Sequence, residues 1–492
     1  MVGFLSAAAK KRFGKTVPVL GVMILLSGCS WWGTATTGTH KASAPVLPLQ
    51  QVAQYTGAPA HEIPFVYTAH KEFALTFNGM ADQATMKALL DQLDRSGMKA
   101  TFFLPGMRVA EEPDIAREIL QRGHEIENNT LNQLDVDHLD YSDIYKEIKL
   151  SSDVIERETG VQTRYVRTRS GSYPEQVPLI AAQLGMQAVV SYNINPKDRN
   201  MQSAKEIGDY IGRYLSRGGI ISLNTDINPE VVKAIPYISQ HAQDIGYTPV
   251  TLDQLVKHGS YRKPLDQIPG YQPLKLNPDY KDTKYNLIYN IETDRKEIAL
   301  TFDDFGSDKT ITQILDILQE HDVKATFFLR AKGVETNPNL ARAMVEGGHE
   351  VASHTYEHKV LTTLTPLAIQ EDLIKAQNVI ADAIQEPPVM LFRPPTGAID
   401  DERAKAIAAL GYTNIAMYDV TTLDWDASNS AEDIVEGVLE QTKQGSIILL
   451  HMLDDIHTIE ALPRVLEEMQ SRGYSFVKMT DLIGQPSNTP NP

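Results

Sequence analysis

The chain has 492 residues, too many for a single hydrophobic core, so two or more domains are expected. Its formal net charge of −17 argues against nucleic acid or an anionic membrane surface as the main partner. A single cysteine, Cys29, rules out an internal disulfide.

From the N-terminus, "KKRFGK" (10–15) is a basic stretch and "TVPVLGVMILL" (16–26) an apolar run too short for an ordinary membrane span. "LSGCS" follows (26–30) and resembles the lipobox of bacterial lipoproteins, in which the cysteine is lipidated and becomes the new N-terminus. The resemblance implies a signal peptide over 1–28, a lipid anchor on Cys29, and export to the cell membrane or outer membrane of a bacterium. Residues 29–60, rich in Thr, Ala, Gly and Pro, read as a flexible stalk.

The rest of the chain is written twice. "EFALTF", "KATFFL" and "GHE" of the first copy return as "EIALTF", "KATFFL" and "GHE" at a constant offset of 225 (301 against 76, 326 against 101, 348 against 123). Later matches drift to 226 (393 against 167) and 227 (451 against 224). The expected domains are 61–258 and 291–485, with a Pro-, Tyr- and charge-rich linker over 259–290 and a tail over 486–492. In the second copy "EIALTF" and "KATFFL" read as buried strands, with "TITQILDILQEH" as an amphipathic helix between them. "PNLARAMVEGG" reads as a helix, "SIILLH" as a strand, "ALPRVLEEMQSRG" as a helix and "SFVKM" as a last strand. Alternating strands and helices predict an α/β fold with parallel strands, either an open sheet or a barrel, and chemistry at the C-terminal ends of strands.

In the second copy Asp303 and Asp304 end a strand. His354 and His358 stand four residues apart, which on a helical turn places both imidazoles on one face. Two imidazoles and one carboxylate make a three-ligand metal site that leaves a position open for water. The first copy has Asn78, Gly79, Asn129, Gln133 and Asn224 where the second has Asp303, Asp304, His354, His358 and His451. Unrelated surface residues would not be lost as a set, so the five read as one functional unit.

"TFDDF" (301–305), "HTYEH" (354–358), "RPPTG" (393–397), "DVTTLDW" (419–425) and "LLH" (449–451) resemble, in order, the five motifs of polysaccharide deacetylases, the NodB homology domain of carbohydrate esterase family 4. The resemblance implies two tandem NodB-like deformed (β/α) barrels, the first degenerate and inactive. It implies Asp303 as general base, steadied by Arg393, and Asp304, His354 and His358 as metal ligands. His451 would be the general acid, oriented by Asp424, and the backbone N–H of Thr396 would face the oxyanion. Trp425 and Leu449 would line the acetyl pocket. Zn²⁺ suits this donor set, with Co²⁺, Ni²⁺ or Fe²⁺ compatible. The substrate implied is an N-acetylated glycan, peptidoglycan or an N-acetylglucosamine polymer. A related hydrolase of a small amide, or a glycan-binding lipoprotein without turnover, are the alternatives. Three positions depart from the family's motifs. Phe305 replaces a glycine and is expected to crowd the mouth of the site, Thr396 replaces a tyrosine, and Thr421 replaces the first aspartate of the fourth motif. The first copy reads as a spacer or packing partner, the alternative being a cleft that still grips glycan. Oligomeric state leaves no trace in the sequence.

Overall fold

The computed structural model describes residues 52–484; the signal-like segment, Cys29, most of the expected stalk and the tail 486–492 lie outside the described residues. Residues 52–60, read as the end of the stalk, are tied to the first domain. Val52 N donates to Ser142 Oγ (3.1 Å), Tyr55 N to the Tyr141 hydroxyl (3.0 Å) and Ala60 N to the Pro178 carbonyl (2.9 Å).

Each copy curls a parallel sheet into a deformed (β/α) barrel. In the second, the order is Val420–Thr421, Ile447–His451, Glu297–Asp304, Thr326–Leu329, Glu350–Ser353, Leu391–Phe392, Asn414–Ala416 and Asn286–Ile288. Every neighbouring pair is parallel. Only residues 417–419 separate Asn414–Ala416, the last strand but one, from Val420–Thr421 at the opposite end of the order, so the chain itself spans the gap. The first copy repeats the order, its circuit closed by a parallel bridge between Ile194 and Ile221.

Period-two alternation sets the layers. On Glu297–Asp304, Ile298, Leu300 and Phe302 pack under the helices, while Ala299 faces inward with Phe328, Ala352, Leu391, Ala416 and Ile447. Ala299, Ala352 and Ala416 leave room among the larger inward side chains, and the run is apolar on both faces because both are covered. The helices Asp308–Glu320, Pro338–Glu346 and Thr458–Ser471 form where the apolar spacing predicts them.

The expected linker is no free tether. Ile268 and Tyr271 are buried against Ala381, the Tyr271 hydroxyl donates to Asn378 (2.5 Å), and Asn277 N donates to Gln370 (2.8 Å). Its last part, Asn286–Ile288, is a strand of the second sheet, pairing Asn414–Ala416. The segment is a strap whose partners lie about a hundred residues away, which local composition does not reveal.

The two barrels also pack directly. Asn339 of the second donates to the Val66 and Arg217 carbonyls of the first (2.8 and 2.6 Å), and the Tyr67 hydroxyl donates to the Ala383 carbonyl (2.7 Å). Arg217 forms a buried ion pair with Asp308 (3.0 Å) that Thr312 and the Tyr247 hydroxyl complete.

Candidate active site

The cluster sits at the C-terminal mouth of the second barrel. Alternation along Glu297–Asp304 that points Ala299 inward also delivers Thr301 and Asp303 to the interior. Arg393, fully buried at the end of Leu391–Phe392, donates to Asp303 Oδ1 and Thr301 Oγ1, both at 2.8 Å. Its guanidinium lies over the Phe328 ring, 4.2 Å from the centroid, and it also donates to the Met417 carbonyl (3.0 Å). Asp303 thus has a fixed orientation and a full counter-charge.

Asp304 takes a left-handed backbone (φ 79°), which an aspartate tolerates better than most residues. His354 and His358 meet with ring centroids 4.9 Å apart, but the helical turn predicted between them is absent. The strand Glu350–Ser353 ends, and Thr355 (φ 68°) and His358 (φ 60°) turn a tight loop instead. The Asp372 carboxylate braces that loop by accepting from Tyr356 N (2.6 Å) and Glu357 N (3.2 Å). A carboxylate reached from another helix has replaced the local hydrogen bonds of a helix.

Asp304, His354 and His358 each offer a ligand atom, all within 4.8 Å of one another. His354 Nδ1 lies 2.8 Å from the Arg393 carbonyl, which can only accept, so Nδ1 carries the proton and Nε2 is free to ligate. Burial pushes the His354 pKa down despite the nearby Asp303 and Asp304 carboxylates, which favours the neutral imidazole a ligand needs. One carboxylate and two imidazoles fit a divalent cation with an open position.

His451 ends the strand beside Asp303. Its Nδ1 is 2.8 Å from Asp424 Oδ1, and its backbone N donates to Asp424 Oδ2 (2.6 Å). Burial opposes the charged imidazole, but the Asp424 hydrogen bond and the charges of Asp424, Asp303 and Asp304 outweigh it, so the pKa is raised. Thr458 Oγ1 donates to the same Asp424 oxygen (2.7 Å).

Leu449 is buried two residues before His451 on the same strand, hence on the same face. Trp425, beside Asp424, is 52% exposed. Thr396 is exposed in the loop after Arg393, with φ 61°, a strained angle for a β-branched residue. Phe305 does not crowd the mouth. It is buried in the helix-facing core against Gly333. Gly306 makes the close approach, since a Cβ there would stand 2.2 Å from the Met452 carbonyl. Thr421 is bound through its backbone to the Gln441 side chain. Asp419, in the same motif, caps the other end of the His451 strand, accepting from Ile447 N (2.9 Å).

Sequence reasoning missed three supporting residues: Asp372, Thr458 and Tyr418. Tyr418 lies beside Arg393 (5.8 Å) as Tyr192 lies beside Arg167 (5.9 Å) in the first barrel. Its signal was present, for 418 and 192 share the offset of the two arginines. Asp372 and Thr458 sit on helices with no motif around them.

The family model described as polysaccharide deacetylase matches residues 66–189 and 290–415, together just over half of the chain. A peptidoglycan-N-acetylglucosamine deacetylase of Bacillus cereus is 33% identical over 42% of this chain and 97% of its own length. A peptidoglycan-N-acetylglucosamine deacetylase of Listeria monocytogenes is 36% identical over 39% of each chain, and a peptidoglycan-N-acetylmuramic acid deacetylase of Bacillus subtilis is 29% identical over 41% of this chain and 76% of its own. Among solved structures, a carbohydrate esterase family 4 pseudoenzyme from Bacillus anthracis is 31% identical over 41% of this chain and 70% of that one, with a TM-score of 0.38. The two stretches matched by one model are the two barrels, and the chain belongs to the polysaccharide deacetylase family, hydrolases of carbon–nitrogen bonds.

Proposed function

We propose that the second barrel is a metal-dependent N-deacetylase of an extracytoplasmic polysaccharide, peptidoglycan or an N-acetylglucosamine polymer. The observation that carries this reading is the convergence of Asp304, His354 and His358 beside an Arg393-paired Asp303 and an Asp424-paired His451. The relatives named as peptidoglycan deacetylases support the substrate class. Asp304, His354 and His358 would hold the cation, with Zn²⁺ the best fit to their donors. A cation held there supplies Lewis acidity, which acidifies water and polarises an acetamide carbonyl.

The residues divide the remaining work. Asp303 takes a proton from the attacking water. The backbone N–H of Thr396 donates to the oxygen as it gains charge. His451, kept protonated by Asp424, gives its proton to the departing nitrogen, so the C–N bond breaks to leave acetate and an amine. Leu449 and Trp425 bound the space for the acetyl methyl.

The test is acetate release by the purified chain from N-acetylated glycans, with metal content measured in parallel. His354→Ala should lose both the metal and the acetate signal. Full activity in a metal-free variant would overturn the reading.

We further propose that Cys29 is lipidated and holds the exported chain on the cell or outer membrane of a bacterium, on the strength of "LSGCS". No helix among the described residues is long and apolar enough to cross a membrane. Cys29→Ala should move the protein from washed membranes to the soluble fraction; a variant that stays on washed membranes would exclude this anchor.

A further inference from the structure

The first barrel has lost the counterparts of Asp303, Asp304, His354, His358 and His451 but not their arrangement. Arg167 donates to Thr76 Oγ1 (2.7 Å) and Asn78 Oδ1 (3.3 Å), as Arg393 does to Thr301 and Asp303. Asn129 Nδ2 donates to the Arg167 carbonyl at 2.8 Å, the distance of His354 Nδ1 from the Arg393 carbonyl. Gln133 bonds to Asn129 where His358 meets His354. Asn224 donates through N (3.1 Å) and Nδ2 (2.8 Å) to Asp198, as His451 does to Asp424. Asp198 is a retained partner that the motif comparison overlooked.

The backbone is held as closely. Gly79 has φ 80° against 79° at Asp304, Thr130 62° against 68° at Thr355, Gln133 55° against 60° at His358, and Gly171 75° against 70° at Gly397. Between these residues lies an open cleft of about 570 Å³, lined among others by Asn78, Gln133, Tyr192, Ser222 and Asn224.

Loss of catalysis alone does not explain this. A barrel kept only as a packing partner could fill its mouth with apolar side chains, which is often neutral or stabilising where buried polar groups are replaced. Instead four of the five lost groups are replaced by amides in the same hydrogen-bonded geometry, Asp304 alone giving way to Gly79, and the cleft stays open. Among the described residues Asn224 Oδ1 receives no hydrogen bond, so it remains an acceptor beside the cleft. Leu134 and Ile227, 45% and 37% exposed, add apolar surface at the mouth beside the Tyr192 ring. Amides and hydroxyls with apolar edges match a ligand that is uncharged, hydroxyl-rich and apolar on its ring faces.

The geometry points to the first barrel as a non-catalytic binding site for the intact, N-acetylated glycan, which it holds for the second barrel to act on. The choice of glycan rests on the function proposed above. Preference for the acetylated form rests on charge. Arg167, fully buried behind Asn78, has that amide where Arg393 has the Asp303 carboxylate, so its guanidinium charge is not offset there and disfavours a free amine beside Asn78. Asp135, Asp137, Asp198 and Asp226 on the walls are matched by Arg169, Lys197 and Arg199 with Arg167 behind them, so the cleft as a whole has no strong sign.

The experiment uses the full chain with Asp303→Asn to stop turnover, titrated calorimetrically with an N-acetylglucosamine pentamer and with the same pentamer fully deacetylated. Two variants interrogate the cleft: Asn224→Leu, which removes the acceptor, and the double substitution Leu134→Ala, Ile227→Ala, which touches only exposed side chains and spares the fold. A binding event that weakens tenfold or more in both variants, and that the deacetylated pentamer does not produce, is the expected result. Binding unchanged in both variants, or equal for the two pentamers, overturns the proposal. Acetate release by the unsubstituted chain is read separately: absent release with cleft binding intact sinks the proposed function alone, and release without cleft binding sinks this inference alone.

Discussion

At the scale of single residues, the candidate site works by pairing. Arg393 orients Asp303, the Arg393 carbonyl fixes the tautomer of His354, and Asp424 holds His451. The His451 pair gives a pH test with a definite sign. The His451 pKa is raised, its burial outweighed by Asp424, Asp303 and Asp304, so its proton persists above the ordinary histidine range and is lost as pH climbs through the raised value. In Asp424→Asn the largest raising influence is gone, so the His451 pKa falls. The alkaline limb of kcat should then move to lower pH, with kcat at its optimum also reduced. His451→Ala should lower kcat by about 10²- to 10⁴-fold and abolish that limb. An alkaline limb that stays in place in Asp424→Asn would show that another group sets it. These pairs were partly legible in the sequence. "RPPTG" and "LLH" carry Arg393 and His451, but Thr458, which shares Asp424, stands alone on a helix and has no local signature.

At the scale of elements, the strands and helices were legible because their periodicities are strong, while the connections were not. The pair His354 and His358 was found for a wrong reason: spacing of four suggested a helical turn, and a loop held by Asp372 brings the rings together instead. The strap over 259–290 was read as a tether because its partners, such as Gln370 for Asn277, lie far along the chain. Arg217 is the sharpest case. In sequence it is one basic residue before two glycines, yet in the structure its side chain is 3% exposed and bound to Asp308, which is equally buried. Asp308 opens the helix Asp308–Glu320, just after the strand that ends in Asp303 and Asp304. Removing one partner of a buried ion pair strands the other charge, at a cost of about 3–5 kcal/mol. Arg217→Ala should therefore lower unfolding stability in denaturant by about that amount. A change below about 1 kcal/mol would mean that water already screens the pair.

At the scale of the whole molecule, the duplication extends beneath the sites, into residues that never meet substrate. Each "GHE" run buries its histidine at the barrel wall. His124 Nδ1 accepts from Ala100 N (3.2 Å) and His349 Nδ1 from Ala325 N (3.1 Å), each ring edge-on to a phenylalanine, Phe102 and Phe327. An acceptor nitrogen bears no proton, and both pKa values fall from 6.5 to about 4, chiefly by burial and then by the nearby Lys99 and Lys324. The sign follows from linkage. The folded chain keeps these rings neutral while the unfolded chain protonates them at about 6.5, so their contribution is complete above that pH and is lost as pH falls towards 4. Each is worth on the order of 3 kcal/mol over that window. The buried carboxylates Glu125, Glu127 and Glu350, whose pKa values are raised by burial, shift stability the other way as pH falls, so the curve of the intact chain is a sum. A difference between two chains isolates the histidine. His349→Gln keeps an acceptor for Ala325 N but cannot take a proton. The variant should be less stable than the parent at pH 7, through lost packing against Phe327, and the gap should close by up to about 3 kcal/mol between pH 7 and pH 4. Denaturant unfolding of both chains across that range measures it. A gap of the same size at both ends would mean that His349 gains its proton as readily in the fold as outside it, and the shared histidine would then contribute packing alone.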